Sequence, residues 1–210
     1  MKQLNTYITE YIIKKKLDKP IDSENKYKYF PKTKDELINN IKELFDKGET
    51  DLNCIATNKI TNMADLFFNV RNINFDVSEW DVSNVTNMTN MFYGCSNFKD
   101  NGIENWNVSN VEIFIGMFNY CSHIYDIDFS NWDVSNGKYL NSMFFECKKF
   151  KGNGLENWSV GKVKDMSSMF YNCNNFNCDL SNWDIHNVIN IKHMFDGCTS
   201  LKNKPSWYKK

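Results

Sequence analysis

The sequence predicts an α/β repeat solenoid with a helical cap at its N-terminus. A stretch such as WDVSNVTNMTNMFYGCSNF (80–98) recurs about every 26 residues from about residue 51 to the end of the chain. A period of this size is typical of solenoids, in which each repeat buries its apolar side chains against the next. Residues 1–50 lack the repeat and contain two helix patterns, so we divide the chain into a cap (1–50) and an array of five to six coils (51–210) with a truncated last coil.

The N-terminal region contains two predicted helices joined by a linker. In the first helix, Leu4, Ile8, Tyr11 and Ile12 fall on one face. Residues 18–32 are polar and contain two prolines, which indicates a linker.

The second helix has clear boundary signals. Thr33 can cap it, Glu36 completes a capping box, and Gly48 is placed to end it. Its apolar stripe is Leu37, Ile38, Ile41, Leu44 and Phe45. We expect this helix to cover the N-terminal end of the array, because an uncovered end would expose apolar side chains to water.

Three residue types recur at fixed places in the repeat, and we expect each to form a buried ladder. The tryptophans are Trp80, Trp106, Trp132, Trp158 and Trp183; the phenylalanines are Phe92, Phe118, Phe144, Phe170 and Phe195; the cysteines are Cys95, Cys121, Cys147, Cys173 and Cys198. The first copy is degraded, with Ile55 in the tryptophan position and Val70 in the cysteine position. Trp207 belongs to a truncated last copy.

Within one copy, the spacing changes from alternating to helical. Trp80 and Val82 alternate with polar residues, which favours a short strand. From Val85 to Phe98 the apolar residues lie three or four apart, which favours a short helix or 3₁₀ turn. A strand, a turn and a helical segment in each copy predict a leucine-rich-repeat-like coil, with parallel pairing of successive strands.

Two asparagine series predict hydrogen-bonded amide ladders, in which each side chain donates to the next. They are Asn105, Asn131, Asn157 and Asn182, and Asn84, Asn110, Asn136 and Asn187. A longer period of 52 residues joins KDNGIENWNV (99–108) to KGNGLENWSV (151–160), which indicates duplication of a two-copy unit.

No residue pattern predicts catalysis, a metal or a cofactor. The seven cysteines include no C-x-x-C pair, and equivalent thiols in stacked coils give no unique disulfide pairing, so we expect reduced thiols. The histidines His123, His186 and His193 have no metal-ligand spacing. Asp81, Asp133 and Asp184 alternate with Asn107 and Ser159, which favours turn capping over a calcium ladder. We therefore expect a protein that is not an enzyme.

Charge and hydropathy exclude two classes of partner. The net charge is −1, and residues 51–201 hold 10 Lys or Arg against 17 Asp or Glu, which disfavours nucleic-acid binding. No apolar run is long enough to span a bilayer, and the N-terminus lacks the order of charges of a secretory signal. These features predict a protein without membrane insertion that is cytoplasmic or released by a route other than a standard signal peptide.

The candidate partner-binding residues follow the recurrent phenylalanine. Phe68, Tyr93, Phe145 and Tyr171 occupy this slot, whereas Asn119 and Asp196 replace the aromatic residue in two copies and Tyr120 follows one residue later. If the slot faces outward, these rings form an aromatic stripe suited to protein contact. The alternative is that the rings cover the edge of the coils.

The repeats resemble a known family. SEWDVSNVTNMTNMFYGCSNF (78–98), SNWDVSNGKYLNSMFFEC (130–147) and SNWDIHNVINIKHMFDGC (181–198) are similar to mycoplasma-type lipoprotein repeats, which are grouped with BspA-like leucine-rich-repeat surface proteins. The resemblance covers roughly residues 52–201 and implies a solenoid that binds proteins or surfaces, at the cell surface. It implies no catalytic residue. LNTYITEYIIKKK (4–16) resembles the starts of small proteins of large tailed phages, which implies virion association.

The sequence therefore predicts a non-enzymatic protein-binding module. The alternative function is a structural or accessory component of a larger assembly, held through its N-terminal helix.

Overall fold

The computed structural model describes residues 26–72, 74–99 and 102–209. Within these ranges, regular secondary structure consists of the α-helix α1 (Lys34–Asp46) and two 3₁₀ helices, Ile103–Asn105 and Leu155–Asn157. The remaining described residues form turns, bends and isolated bridges around a large buried aromatic core. The first predicted helix and the phage-like segment lie outside the described residues.

Helix α1 is bounded by local hydrogen bonds at both ends. The Thr33 hydroxyl accepts from the Glu36 amide, and the Glu36 carboxylate accepts from the amide of Lys32 rather than of Thr33. At the other end Gly48 has a φ of 78°, and the amides of Gly48 and Glu49 donate to the carbonyls of Phe45 and Leu44. This pair of hydrogen bonds is the Schellman motif, which satisfies carbonyls that a helix end would otherwise leave unpaired.

The apolar face of α1 belongs to the same core as the repeats. Leu37 and Ile41 are fully buried, and the ring of Phe45 lies 6.2 Å from that of Phe75. The Lys34 ammonium donates to the carbonyl of Ala64 in the first copy. The helix thus contacts the repeats through both apolar side chains and a backbone acceptor.

The described part of the predicted linker, residues 26–32, pairs with the first copy. Tyr29 forms a parallel bridge with Ile55, the amide of Lys28 donates to the carbonyl of Cys54, and the amide of Ala56 donates to Tyr29. The segment before α1 is therefore paired with the first copy. Its polar composition did not indicate this pairing, which backbone groups make together with the partly buried ring of Tyr29.

The array contains six copies, numbered here by their buried phenylalanines Phe67, Phe92, Phe118, Phe144, Phe170 and Phe195. At all five junctions, four amides of one copy donate forward to carbonyls of the next copy at 2.6–3.0 Å. From copy 2 to copy 3 the donors are Met88, Asn90, Phe92 and Gly94. Single parallel bridges connect Asn62, Asn87, Ile113, Tyr139, Asp165 and Asn190 in the same order. Like residues of neighbouring copies therefore lie side by side.

The amides between these donors bond within their own copy. In copy 2 the amides of Met91, Tyr93 and Cys95 each donate to the carbonyl three residues earlier. Two residues per copy, four apart, have a left-handed backbone, such as Asn90 (φ 51°) and Gly94 (φ 69°). The segment is a run of tight turns whose amides alternate between the copy's own chain and the next copy.

This alternation corrects two predictions. The helix or 3₁₀ segment expected from Val85 to Phe98 is absent, because every second amide bonds to the next copy and no continuous i→i−4 ladder can form. The strand expected at WDVSNV is also absent, and the bridge residue Asn87 lies seven residues after Trp80. The 3₁₀ helices instead occupy the GIEN and GLEN stretches of the 52-residue period.

The phenylalanine ladder is continuous from copy 1 to copy 6. Neighbouring rings lie 5.5–5.8 Å apart with interplanar angles of 2–13°. Each of these rings is at most 2% exposed. Stacked aromatic rings supply both buried area and favourable ring contacts, so this ladder is the centre of the core.

The tryptophans and cysteines donate backwards to the preceding copy. The indole of Trp158 donates to the Phe129 carbonyl (3.0 Å), and the thiol of Cys147 donates to the Phe118 carbonyl (2.9 Å). The same bonds recur at Trp80, Trp106, Trp132, Trp183 and Trp207 and at Cys95, Cys121, Cys173 and Cys198. Most of the accepting carbonyls, Phe129 and Phe118 included, also accept a turn amide of their own copy. Both lone pairs of these buried acceptors are therefore used.

The asparagine ladders differ from the prediction. Asn84, Asn110, Asn136 and Asn187 donate to backbone carbonyls of the preceding copy and not to one another. Asn105, Asn131, Asn157 and Asn182 are exposed, and within the described residues no side-chain bond joins them. A backbone carbonyl lies in the same place in every copy. It can therefore accept from the next asparagine even where its own copy has another residue in place of the asparagine.

The last copy is covered by the end of the described chain. The Trp207 indole donates to Leu180, and the ring of Tyr208 lies edge-on to Phe195 at 5.0 Å. Pro205 is buried beside them. Among the described residues, no helix has the length and hydrophobicity that a bilayer crossing requires.

Candidate protein-binding surface

Five aromatic side chains form a continuous row on the outside of the turns. We call this row the aromatic stripe; it consists of Phe68, Tyr93, Tyr120, Phe145 and Tyr171. Phe68 stacks on Tyr93 at 4.6 Å, and Phe145 stacks on Tyr171 at 4.8 Å. Tyr120 lies between the two pairs and contacts Tyr93 and Phe145 edge-on at 5.8 and 5.7 Å. The structure thus brings all five sequence candidates together.

Tyr120 joins the two halves of the stripe from a different position in the repeat. Asn119 occupies the slot that holds an aromatic ring in the neighbouring copies, and Tyr120 follows it with a φ of 59°. The equivalent residues, among them Gly94 and Asn172, are also left-handed, so the repeat imposes this backbone. A tyrosine there costs roughly 1 kcal/mol relative to glycine. The copy therefore holds the ring in the stripe in spite of a conformational cost.

The stripe is only partly covered by the rest of the protein. Tyr120 is 47% exposed, and the other four rings are half-buried. Within the described residues the hydroxyls of Tyr93, Tyr120 and Tyr171 form no hydrogen bond, in contrast to Tyr29, which donates to Glu43. The rings shield the turns beneath them and present their edges and hydroxyls to solvent.

Few charges border the stripe. The left-handed positions on one side are mainly small or polar, such as Asn90, Gly116 and Ser142. On the other side, the Glu146 carboxylate accepts from the Asn172 amide (2.6 Å) and lies 3.5 Å from the Lys148 ammonium. This surface suits a partner with apolar groups and neutral hydrogen-bond acceptors.

The cysteine ladder has no features of a reactive site. All seven cysteines are free, and five are buried. Burial raises the pKa of Cys121, Cys147 and Cys173 well above the ordinary thiol value, and proximity to neighbouring thiols of the ladder adds to this. Protonated thiols are poor nucleophiles and donate the hydrogen bonds described above. Cys178 is half-buried, and burial followed by a hydrogen bond to Glu156 raises its pKa to about 12.

The recurrent aspartates accept hydrogen bonds from backbone amides within turns. The Asp81 and Asp133 carboxylates accept from the amides of Ser83 and Ser135, and Asp184 accepts from His186. Serine hydrogen bonds hold the pKa of Asp133 below its usual range. In the part of the chain that the structure describes, no group of three His, Cys, Asp or Glu side chains is placed to hold a metal.

An open cleft lies on another side of the array, between the loops of copies 4 to 6. It has a volume of about 980 Å³ and is lined mainly by polar residues, including Asp128, Asn153, Glu156 and Asn177. Its lining contains no aromatic ring.

Among the described residues, three further large apolar side chains are exposed off the stripe and were not among the sequence candidates. Ile189 is 85% exposed, Phe30 66% and Tyr139 41%. A sequence signal existed for Ile189, because the same position holds Thr61, Thr86, Glu112, Lys138 and Lys164 in the other copies.

The fold and the stripe define a repeat protein with a large buried aromatic core. The family described as Mycoplasma protein of unknown function, DUF285, matches residues 36–153 and 100–208. Together these overlapping matches cover most of the chain, and the chain belongs to this family. No curated protein and no solved structure matches the chain.

Proposed function

We propose that this chain is a non-enzymatic protein-binding module, a short solenoid of BspA-like leucine-rich-repeat type that contacts another protein through the aromatic stripe. The in-register contacts support the solenoid part. Each backbone bond between copies joins residues of one copy to the equivalent part of the next, as at Phe92 and Met117. In a solenoid each unit contacts only its neighbours, which is the pattern of these bonds.

The continuity of the stripe carries the proposal for its role. Tyr120 closes the gap that Asn119 leaves and does so in a costly backbone conformation. Backbone strain at an exposed residue is a sign of function when the protein gains little from it internally. Tyrosine is also among the residues that contribute most to protein interfaces, because its ring supplies area and its hydroxyl a hydrogen bond.

Site-specific cross-linking tests this proposal. A photoreactive amino acid is placed at position 120 in one variant and at position 139 in a control variant, since Tyr139 is similarly exposed but lies off the stripe. Cross-linking to a partner protein in native lysate is expected from position 120 and not from position 139. Partner binding by Tyr120→Ser is expected to fall at least about tenfold, while Tyr139→Ser binds as the parent does. Equal losses for both variants would refute a role for the stripe.

Deletion of residues 1–25 distinguishes a binding module from an assembly component that is held through its N-terminal segment. This deletion leaves the Tyr29 bridge and α1 in place. A binding module retains its partner after the deletion. Release of the protein from its complex would instead favour anchoring through the N-terminal segment.

A further inference from the structure

Copy 3 differs from its neighbours at the two positions that build the stripe. Copies 1, 2, 4 and 5 hold an aromatic residue directly after the buried phenylalanine, whereas copy 3 holds Asn119 there and Tyr120 one position later. Tyr120 takes the left-handed backbone that Gly94 and Gly197 take in copies 2 and 6. Within the described residues, the buried Oδ1 atom of Asn119 has no hydrogen-bond partner. Both features destabilise the fold, so their presence in one copy indicates a function for the exchange.

The exchange changes the orientation of one ring in the stripe. Phe68 and Tyr93 are nearly parallel (13°), as are Phe145 and Tyr171 (7°), so their faces point along the array. The ring of Tyr120 is inclined at 69° to Tyr93 and at 65° to Phe145, and it therefore meets both with its edges. Its faces point across the array. Because its neighbours cover edges, the exposed 47% of Tyr120 includes a ring face.

The stripe offers hydrogen-bond donors but few free charges. Within the described residues, the hydroxyls of its three tyrosines have no partner. Two carboxylates that border the stripe are already engaged, since Asp65 accepts from the Asn90 amide at 3.2 Å and Glu146 accepts from the Asn172 amide at 2.6 Å. A ligand for this surface therefore needs hydrogen-bond acceptors and a flat apolar group for the open face of Tyr120, and it needs no charge.

A polyproline II helix has these properties and matches the spacing of the stripe. It forms no internal hydrogen bonds, so its backbone carbonyls are free to accept. It advances by roughly 9 Å per turn, about twice the 4.6–4.8 Å between stacked rings of neighbouring copies. One face of such a helix therefore returns to the stripe at every second copy. The ring-to-ring steps of 4.6–5.8 Å give the stripe a length of roughly 20 Å, which about seven residues of this helix span.

We propose that the aromatic stripe binds a proline-rich segment of a partner protein in the polyproline II conformation. This proposal rests on the role of the stripe in the proposed function and specifies the kind of partner. A proline ring lies on the open face of Tyr120, and the hydroxyls of Tyr93 and Tyr171 donate to backbone carbonyls on either side. Proline-rich segments suit aromatic-lined surfaces because their preformed conformation loses little entropy on binding.

Titration with a polyproline peptide of about seven residues tests the proposal, with the tyrosine ring signals followed by NMR. The control peptide has the same length and alternates alanine and serine, so it is neutral and carries no proline ring. The polyproline peptide is expected to shift the ring signals of Tyr93, Tyr120 and Tyr171. It is expected to leave Tyr139 unchanged, since Tyr139 is exposed but lies off the stripe. The control peptide is expected to shift none of them.

Two variants separate ring orientation and hydroxyl donation from aromatic content. The paired substitution Asn119→Tyr with Tyr120→Gly restores the order of Tyr93 and Gly94 in copy 2, so the stripe keeps five rings without a left-handed tyrosine. We expect it to match or exceed the thermal stability of the parent and to bind the polyproline peptide at least about tenfold more weakly. Tyr171→Phe removes one hydroxyl and is expected to weaken binding about fivefold.

The proposal is overturned if the polyproline peptide does not bind, if both peptides bind equally, or if either variant binds it as tightly as the parent. A neutral oligosaccharide that shifts Tyr120 where the peptide does not would overturn it in favour of a carbohydrate ligand. The cross-linking test at position 120 fails or succeeds separately. A cross-linked partner without a proline-rich segment at the contact would leave the stripe a protein-binding surface and overturn only its specificity for proline.

Discussion

Substitution of Trp158 by phenylalanine measures what the backward indole bonds contribute to stability. The change deletes the Nε1–H donor to the Phe129 carbonyl and a net two carbon atoms from a site that is 4% exposed. The lost hydrogen bond costs about 1 kcal/mol, the Phe129 carbonyl keeping its bond from the Trp132 amide. Two buried carbons cost roughly 1.5 kcal/mol in transfer free energy, and the small cavity adds to this. We expect the free energy of unfolding to fall by about 3 kcal/mol.

Urea denaturation followed by circular dichroism measures this loss, and Trp207→Phe is the matched control. Trp207 makes the same bond, to Leu180 at 2.9 Å, but is only partly buried. We expect it to lose about 1 kcal/mol, mainly the hydrogen bond. If the two variants lost the same free energy, burial of the indole would not be the source of the difference, and the reasoning would fail. A loss below about 0.5 kcal/mol for Trp158→Phe would refute the hydrogen-bond contribution as well.

Three further predictions concern the pH dependence of stability, the labelling of the thiols and a glycine. Because burial raises the pKa of Cys121, Cys147 and Cys173 in the folded chain above the ordinary value of 9.0, unfolded thiols lose protons first, and the free energy of unfolding should fall as pH rises from about 8 to 10. A thiol reagent at pH 8 should label the half-buried Cys54 first, and equal labelling of all seven cysteines in the folded protein would contradict the ladder. Gly154→Ala should cost more than about 2 kcal/mol, because Gly154 has a φ of 84° and a Cβ would lie 2.2 Å from the Ser130 amide nitrogen. Gly161→Ala is its control, since the nearest atom lies 3.7 Å away; equal thermal shifts for both would refute the close-approach argument.

The sequence was sufficient to predict which side chains are buried. Phe92, Cys95 and Trp106 recur with one period, and residues that occupy equivalent places meet when copies lie side by side. The boundaries of α1 could be predicted for a different reason. Thr33, Glu36 and Gly48 act through bonds to residues within five positions, which local sequence specifies.

The backbone between these landmarks could not be predicted from spacing. Apolar residues three or four apart, such as Met88, Met91 and Cys95, fit a helix and a run of tight turns equally well. The difference lies in where the amides donate, and those acceptors belong to the next copy. Tyr120 could be named as a candidate, but its place between Tyr93 and Phe145 depends on the left-handed backbone of the repeat, which tyrosine does not signal.

The bonds that run in both directions between copies also bear on how such a chain can lengthen. Each copy sends four amides forward and, from copy 2 on, returns an indole and a thiol, so any copy can follow any other provided that its acceptors keep their places. A gene duplication of whole periods would preserve every acceptor, while insertion of one residue would misplace all of them at a junction. The two 3₁₀ helices, 52 residues apart, are what growth by paired units would leave behind.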